Sequence, residues 1–276
     1  MPRLLFLVSL GTLCLGQIPA AFAGAWTQDR SGYYLKIAAH HLRAQNHFDS
    51  SGMRVPKLGM GELTELGLQA YAEYGLRERL TLVAALPYKH LSDQRRFASG
   101  TGREESRGFG DLEIGIRWKL GDRPLVSSLA VGGKVPLGYR VDAGTRVPLG
   151  TGEPSGDMRL LLGRSLHPIP GYFTGEVGYR VRGGAYSDEF FYLLEAGFAL
   201  RRWALKGYVS GLRTRGACGA LGQESLIGDQ DILQVSPGLS YRLGRRLDLE
   251  VDLIHTAAGC NTTAGSALAA GVVLRR

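Results

Sequence analysis

Few side chains in this sequence stand where chemistry would use them. His255 is followed by Thr256 and Asn261, so an imidazole, a hydroxyl and an amide lie within one short stretch. Such a set could activate a hydroxyl for nucleophilic attack if the fold brought it together. No exposed Ser or Thr sits at a recognisable spacing from His255, however, and a histidine at a loop rim is the better reading. His40 and His41 are neighbours, and in a strand neighbours point to opposite faces, so the pair cannot chelate one metal. Gly59-Met60-Gly61 and Gly100-Thr101-Gly102 lack the strand-to-helix setting of a phosphate-binding loop, and Asn261-Thr262-Thr263 matches a glycosylation acceptor only by composition. No catalytic residue, cofactor or metal site is expected, and the chain reads as a non-enzyme.

Charge alternation is the stronger chemical signal. In Gly108 to Leu120, Asp111, Glu113, Arg117 and Lys119 share one parity with Gly115, and Leu112, Ile114, Ile116, Trp118 and Leu120 share the other. A β-strand sends successive side chains to opposite faces, so this stretch is a ribbon with one charged and one apolar face. The same period recurs along the chain, over 31–42, 62–76, 80–91, 108–120, 125–139, 157–166, 172–183, 189–200, 203–214, 231–243, 247–256 and 264–274. These are twelve segments, an even number, as closed antiparallel barrels of the bacterial outer membrane have.

The elements that would position those charges follow from the connections. Tight turns such as Arg77-Glu78-Arg79, Arg201-Arg202 and Gly244-Arg245-Arg246 alternate with longer polar stretches, for instance 43–61, 92–107, 140–156 and 215–230. Short periplasmic turns on one rim and longer extracellular loops on the other are the layout of an outer-membrane barrel. Length separates this from a soluble sandwich: sandwich strands average about five or six residues, whereas a tilted bilayer-crossing strand needs about nine to eleven. Most segments here run to ten or more. Aromatic residues near segment ends, among them Tyr74, Tyr88, Trp118, Tyr139, Tyr172, Trp203 and Tyr241, would form the interfacial girdles.

Compartment and composition agree. Arg3, the apolar run Leu4 to Leu10 and Ala21-Phe22-Ala23 read as a signal peptide over 1–23, with the barrel over 24–276. Cys14 lacks the small residues that a lipoprotein signal places before its cysteine. Beyond the signal no apolar run approaches the roughly 18 to 20 residues of a membrane helix. The 40 glycines are spread through every segment, which suits strands and turns better than helices. The net charge of +8 is dispersed rather than clustered with aromatics, so nucleic acid is discounted as a partner. The expected partners are the outer-membrane bilayer, a small-molecule solute and the outer-membrane assembly machinery. Cys218 and Cys260 are left to pair in an oxidising compartment, and both fall on the long-loop side.

The string Gly108-Phe109-Gly110-Asp111-Leu112-Glu113-Ile114-Gly115-Ile116-Arg117 resembles the recurrent G-x-G-D strand of the outer-membrane family named for the meta-pathway of phenol degradation. Leu86-Pro87-Tyr88, Gly175-Glu176-Val177-Gly178-Tyr179-Arg180 and Gly259-Cys260-Asn261-Thr262 agree with it, and Gly24-Ala25-Trp26-Thr27 resembles the opening of XagA-type proteins. The resemblance implies a barrel that passes small hydrophobic or aromatic molecules.

With the apolar parity outside, the polar parity lines a lumen. Its expected lining is Glu65, Gln69 and Glu73, then Asp111, Glu113, Arg117 and Lys119, then Lys134, Glu176 and Arg180, and finally Asp248, Glu250 and Asp252. Lys36, His40, Asp157, Arg159, Arg182, Glu195 and Lys206 share that side. Opposite signs on neighbouring strands would pair, which narrows the bore as readily as it selects a solute. A passive channel is therefore the first reading. A non-conducting structural or surface-interaction barrel is the second, and an outer-membrane hydrolase the third.

Overall fold

The computed structural model describes residues 24–57, 60–97, 100–139, 141, 147–216, 218 and 229–276. The leader expected over 1–23 lies outside them. The strands are β1 (Tyr33–Phe48), β2 (Arg54–Pro56), β3 (Glu62–Arg77), β4 (Leu80–Phe97), β5 (Gly100–Phe109), β6 (Asp111–Gly121) and β7 (Val126–Pro136). They continue with β8 (Ser155–Ser165), β9 (Gly171–Arg182), β10 (Glu189–Leu200), β11 (Trp203–Thr214), β12 (Asp231–Arg242), β13 (Leu247–Cys260) and β14 (Thr262–Arg275).

Each wall strand pairs antiparallel with its sequence neighbour, and β14 returns to β1 in a register from Tyr34↔Arg275 to Phe48↔Thr262, so the sheet closes. Closure removes the bare edges of the lipid-crossing wall, which matters because an unpaired backbone group in lipid has no water to bind; β2 and β5, each paired on one side, lie beyond it. β5 and β6 form a single wall strand. β5 pairs with the upper part of β4, starting at Tyr88↔Phe109, and β6 with the lower part, ending at Ala85↔Glu113. The two registers differ by one residue, so Gly110 is a bulge, and its N–H still donates to the Pro87 carbonyl at 2.9 Å. A side chain at Gly110 would place its Cβ 3.1 Å from Pro87 Cγ, tighter than most real contacts. With β5 and β6 counted as one strand, and β2 as a short attachment to the end of β1, the barrel has the twelve strands expected.

The apolar parity faces outward. In β6, Ile114, Ile116, Trp118 and Leu120 are exposed while Arg117 is 4 % exposed. The same division runs around the barrel through Leu66 and Leu68, Val131 and Val135, Leu205 and Val209, and Leu249, Val251 and Leu253. An exposed apolar band on every strand is a lipid-facing surface, since water would not tolerate a patch of this extent on a soluble protein.

Two expectations change. The stretch 92–107 is not a loop: β4 and β5 run on as a hairpin well above the belt. Both faces are polar there, with Asp93 and Arg95 inside and Ser92 and Gln94 outside, so the hydropathy signal fades while the backbone ladder continues. Tyr139 and Tyr172 do not join the outer girdles either. Tyr172 is 5 % exposed on the lumen side and donates to Glu195 Oε1 at 2.5 Å, and the Tyr139 hydroxyl bonds Asp111. A phenol can bury its ring while its hydroxyl reaches a carboxylate, and the lumen supplies those carboxylates.

Candidate functional site

Among the described residues, three side-chain clusters fill the middle of the lumen. In the first, Lys36 Nζ (β1) donates to Glu250 Oε2 at 2.6 Å and Asp252 Oδ2 at 3.1 Å, and Lys206 Nζ (β11) lies 2.9 Å and 3.2 Å from the same two carboxylates on β13. The strands between carry small residues that let the lysines through. At Gly238 on β12 a Cβ would lie 2.2 Å from Asp252 Oδ1 and 2.9 Å from Lys206 Cε. In the second, Arg117 (β6) reaches Glu73 Oε1 (β3) at 3.0 Å, and the Tyr71 O–H donates to the same oxygen at 2.6 Å. In the third, Arg159 pairs with Asp157 at 2.5 Å and Glu176 at 3.3 Å, while Arg180 pairs with Glu189 at 3.0 Å. Phe191 on β10 lies under both guanidinium groups, at 5.1 and 4.9 Å from its ring centroid.

The lower mouth is occupied by the chain's own residues ahead of β1. Ser128 donates to the Ala25 carbonyl at 2.5 Å, Arg117 Nη1 to the Trp26 carbonyl at 3.0 Å, and Gln28 Nε2 to Glu73 Oε2 at 2.7 Å. The Gln28 N–H donates to Thr81 Oγ1 at 2.8 Å. Trp26 meets Tyr172 edge-on at 6.0 Å, over a wall position, Gly163, where a Cβ would lie 2.8 Å from its ring. Ala25 is fully buried. Every one of these partners lies towards the tight-turn end of its strand, so the segment enters from that side.

The upper mouth is narrowed by the connection between β7 and β8. Its Val147 and Leu149 pack with Leu63 and Leu91 on the inner wall, with Leu42 and Tyr139 against them. Tyr139, itself in the connection, also accepts the Gly152 N–H at 3.1 Å, and its hydroxyl bond to Asp111 on β6 ties the connection to the inner wall. Between the two inserts is a cavity of about 140 Å³. Val83, Ala85 and Leu161 supply apolar wall, and Arg117, Arg159 and Glu176 supply polar edges.

All thirteen residues expected to line the lumen take the inward parity of their strands. The structure joins Glu73 to Arg117, Lys134 to Glu113 at 2.7 Å, and Glu250 and Asp252 to a shared pair of lysines. Gln69, Glu113, Arg117 and Glu176 border the cavity. Glu65 bonds His40 at 2.9 Å near the upper end, whereas Lys119 and Asp248 sit at the lower end, with Asp122 at 3.1 Å and Arg275 at 3.1 Å respectively. Cys218 and Cys260 are disulfide-bonded across 42 residues.

Sequence reasoning missed Trp26, Gln28, Phe191, Val147 and Leu149. Phe191 shares parity with Glu189 and Glu195, which could have located it; nothing local marks the other four as inward. His255 is exposed on the outer face and its Nδ1 lies 2.8 Å from Ser266 Oγ, a neighbour the spacing did not reveal. Thr256 takes the opposite parity, so the hydroxyl, imidazole and amide set first considered is not assembled.

Closed antiparallel wall, outward apolar belt and inward charge define the class: a transmembrane β-barrel of the bacterial outer-membrane type. Among solved structures, the chain resembles an outer membrane channel from Pseudomonas putida F1, with a TM-score of 0.69 at 12% identity over 94% of this chain and 99% of that one. It also resembles the translocator domain of the autotransporter NalP from Neisseria meningitidis, with a TM-score of 0.51 at 14% identity over 90% of each chain. At these identities the likeness is one of fold. No protein-family profile and no curated protein matches the sequence. The XagA-type resemblance is carried by Gly24 to Thr27 alone.

Proposed function

We propose that this protein is an outer-membrane channel for a small solute about the size of one aromatic ring. In this reading it is closed at rest by its N-terminal segment below and by the β7–β8 connection above, and residues 1–23 serve as the cleaved export signal. The observation that carries the proposal is the lumen cavity of about 140 Å³ between the two inserts. An apolar cavity of about 150 Å³ is enough to hold benzene. Val83, Ala85 and Leu161 would meet a ring, while Arg117 and Arg159 would meet a polar substituent.

Both inserts are held by contacts that a solute or a change of state could exchange. Among the described residues the lower one rests on five hydrogen bonds that involve a side chain, the Thr27 hydroxyl to the Glu78 carbonyl among them, and one aromatic edge contact. The upper one rests on a small apolar cluster, the Tyr139 bond to Asp111 and the Tyr186 hydroxyl bond to the Thr151 carbonyl. The wall itself is locked by buried ion pairs, so opening by movement of the inserts is the lower-energy route.

The test is single-channel recording in planar bilayers together with uptake of a single-ring solute into liposomes, for the protein and for a variant lacking residues 25–28. The deletion should raise both conductance and uptake, and His255→Ala should leave both unchanged. Absence of conductance and uptake in both proteins would overturn transport in favour of a non-conducting barrel whose long loops meet other partners.

A further inference from the structure

The tight-turn rim carries a charge arrangement that the lumen does not explain. Three of its turns hold arginine pairs: Arg77 and Arg79, Arg201 and Arg202, Arg245 and Arg246. All six are exposed, and among the described residues none of them makes an ion pair. Arg123 in the β6–β7 turn and Arg164 near the lower end of β8 extend the ring. Rim acids are few, and Asp122 is already tied to Lys119 at 3.1 Å. The turns are stitched to one another, with the Arg242 N–H donating to the Arg202 carbonyl at 2.7 Å and the Arg275 N–H to the Arg246 carbonyl at 3.0 Å, so the cations project from a fixed base.

Their neighbours say what the ligand must look like. Leu76, Leu200, Trp203 and Leu243 are outward and between 41% and 63% exposed, and they adjoin the arginine pairs in sequence. The ring therefore lies at the lower edge of the lipid-facing belt. A ligand for it needs an acyl chain against the leucines and an anion beside the guanidinium groups. Guanidinium matches phosphate in a two-point fork, and arginine is the residue suited to such contacts.

We propose that this rim binds the phosphate groups of anionic phospholipid, phosphatidylglycerol, in the periplasmic leaflet. The proposal rests on the reading of the chain as an outer-membrane barrel with its tight turns in the periplasm. It gives the ring a definite role, which is to fix the depth of the barrel in the membrane and gather acidic lipid around its lower mouth. A basic residue beside an anionic bilayer favours binding by about fivefold, and the contributions compound around a ring.

The tryptophans supply the readout. Trp118 and Trp203 are exposed near this rim, and Trp26, half-buried on the lumen side away from the lipid-facing belt, is an unquenched background. The protein is reconstituted into vesicles containing bromine-labelled phosphatidylcholine or bromine-labelled phosphatidylglycerol, and quenching of tryptophan fluorescence is compared at equal label. Phosphatidylglycerol should quench several-fold more effectively at low salt, with the preference shrinking as salt rises. In the variant R201Q/R202Q/R245Q/R246Q the preference should fall to near parity while quenching by phosphatidylcholine is retained. Equal quenching by both lipids in the native protein, or a preference unchanged in the variant, would overturn the proposal. Absence of quenching by either lipid would instead sink the placement of the belt in the bilayer.

Discussion

Arg117 in the lumen is 4 % exposed and reaches Glu73 and the Trp26 carbonyl, each at 3.0 Å, whereas Arg202 on the lower rim is exposed and reaches no carboxylate among the described residues. The side chains are identical and the surroundings opposite. A guanidinium withdrawn from water must find a partner or destabilise the fold, so pairing inside the barrel is a condition of burial. It says little by itself about what passes. At the rim, water and headgroups satisfy the charge, so nothing in the fold requires six arginines there. A cation that the fold does not need is the better pointer to an external ligand.

The contrast can be broken most severely at Arg117. Arg117→Met should cost about 3–5 kcal/mol, because Glu73 would be left buried and charged, and adding Glu73→Met should recover most of the loss. Urea unfolding of the reconstituted barrel measures both. If the single variant is as stable as the parent, the lumen pairing is not a condition of burial.

Cys260→Ser should cost about 2–4 kcal/mol by freeing a 42-residue closure on the upper rim, read in the same unfolding experiment. Ile114→Arg should cost about 2–4 kcal/mol if its position is at mid-bilayer, whereas Leu120→Arg, nearer the rim, should cost about 0–1 kcal/mol. That gradient sharpens the comparison, since it locates where an arginine changes from a liability to a surface group. Arg201→Gln with Arg202→Gln should change stability in neutral lipid by less than about 0.5 kcal/mol.

The smallest effect is expected at Asp188, beyond β9. The Tyr179 hydroxyl at 2.8 Å, aided by the Arg182 N–H at 3.2 Å, holds this carboxyl below its ordinary range. A lowered folded value means its contribution is present above the ordinary carboxylate value and is lost as pH falls through the lower one. Asp188→Asn should remove that slight acid dependence from the unfolding midpoint.

Much of the wall could be read in advance. Leu112 through Leu120 alternated without interruption, and that alternation put Ile114 outside and Arg117 inside. Where both faces were polar, as in Ser92 to Arg95, the strand was invisible because the period-two signal needs one apolar face. Tyr139 and Tyr172 were assigned to the wrong side of the wall because a terminal aromatic suits either an interface or a carboxylate-lined interior. The inserts were least visible: Trp26 precedes the first strand, and Val147 and Leu149 lie in a connection, where no periodicity acts.

What the sequence determined alone is the strand period, the even count, the short and long rims and the two cysteines left to pair. These follow from neighbours two residues apart or from turn chemistry, so no distant part of the chain is needed to settle them. Tertiary structure decided which charges meet, how both mouths are narrowed and where the cavity lies. Lys36 and Glu250 meet across 214 residues, a contact that exists only because β14 closes against β1. The filling of a closed barrel depends on which side chains share its bore, and closure, not local pattern, sets that company.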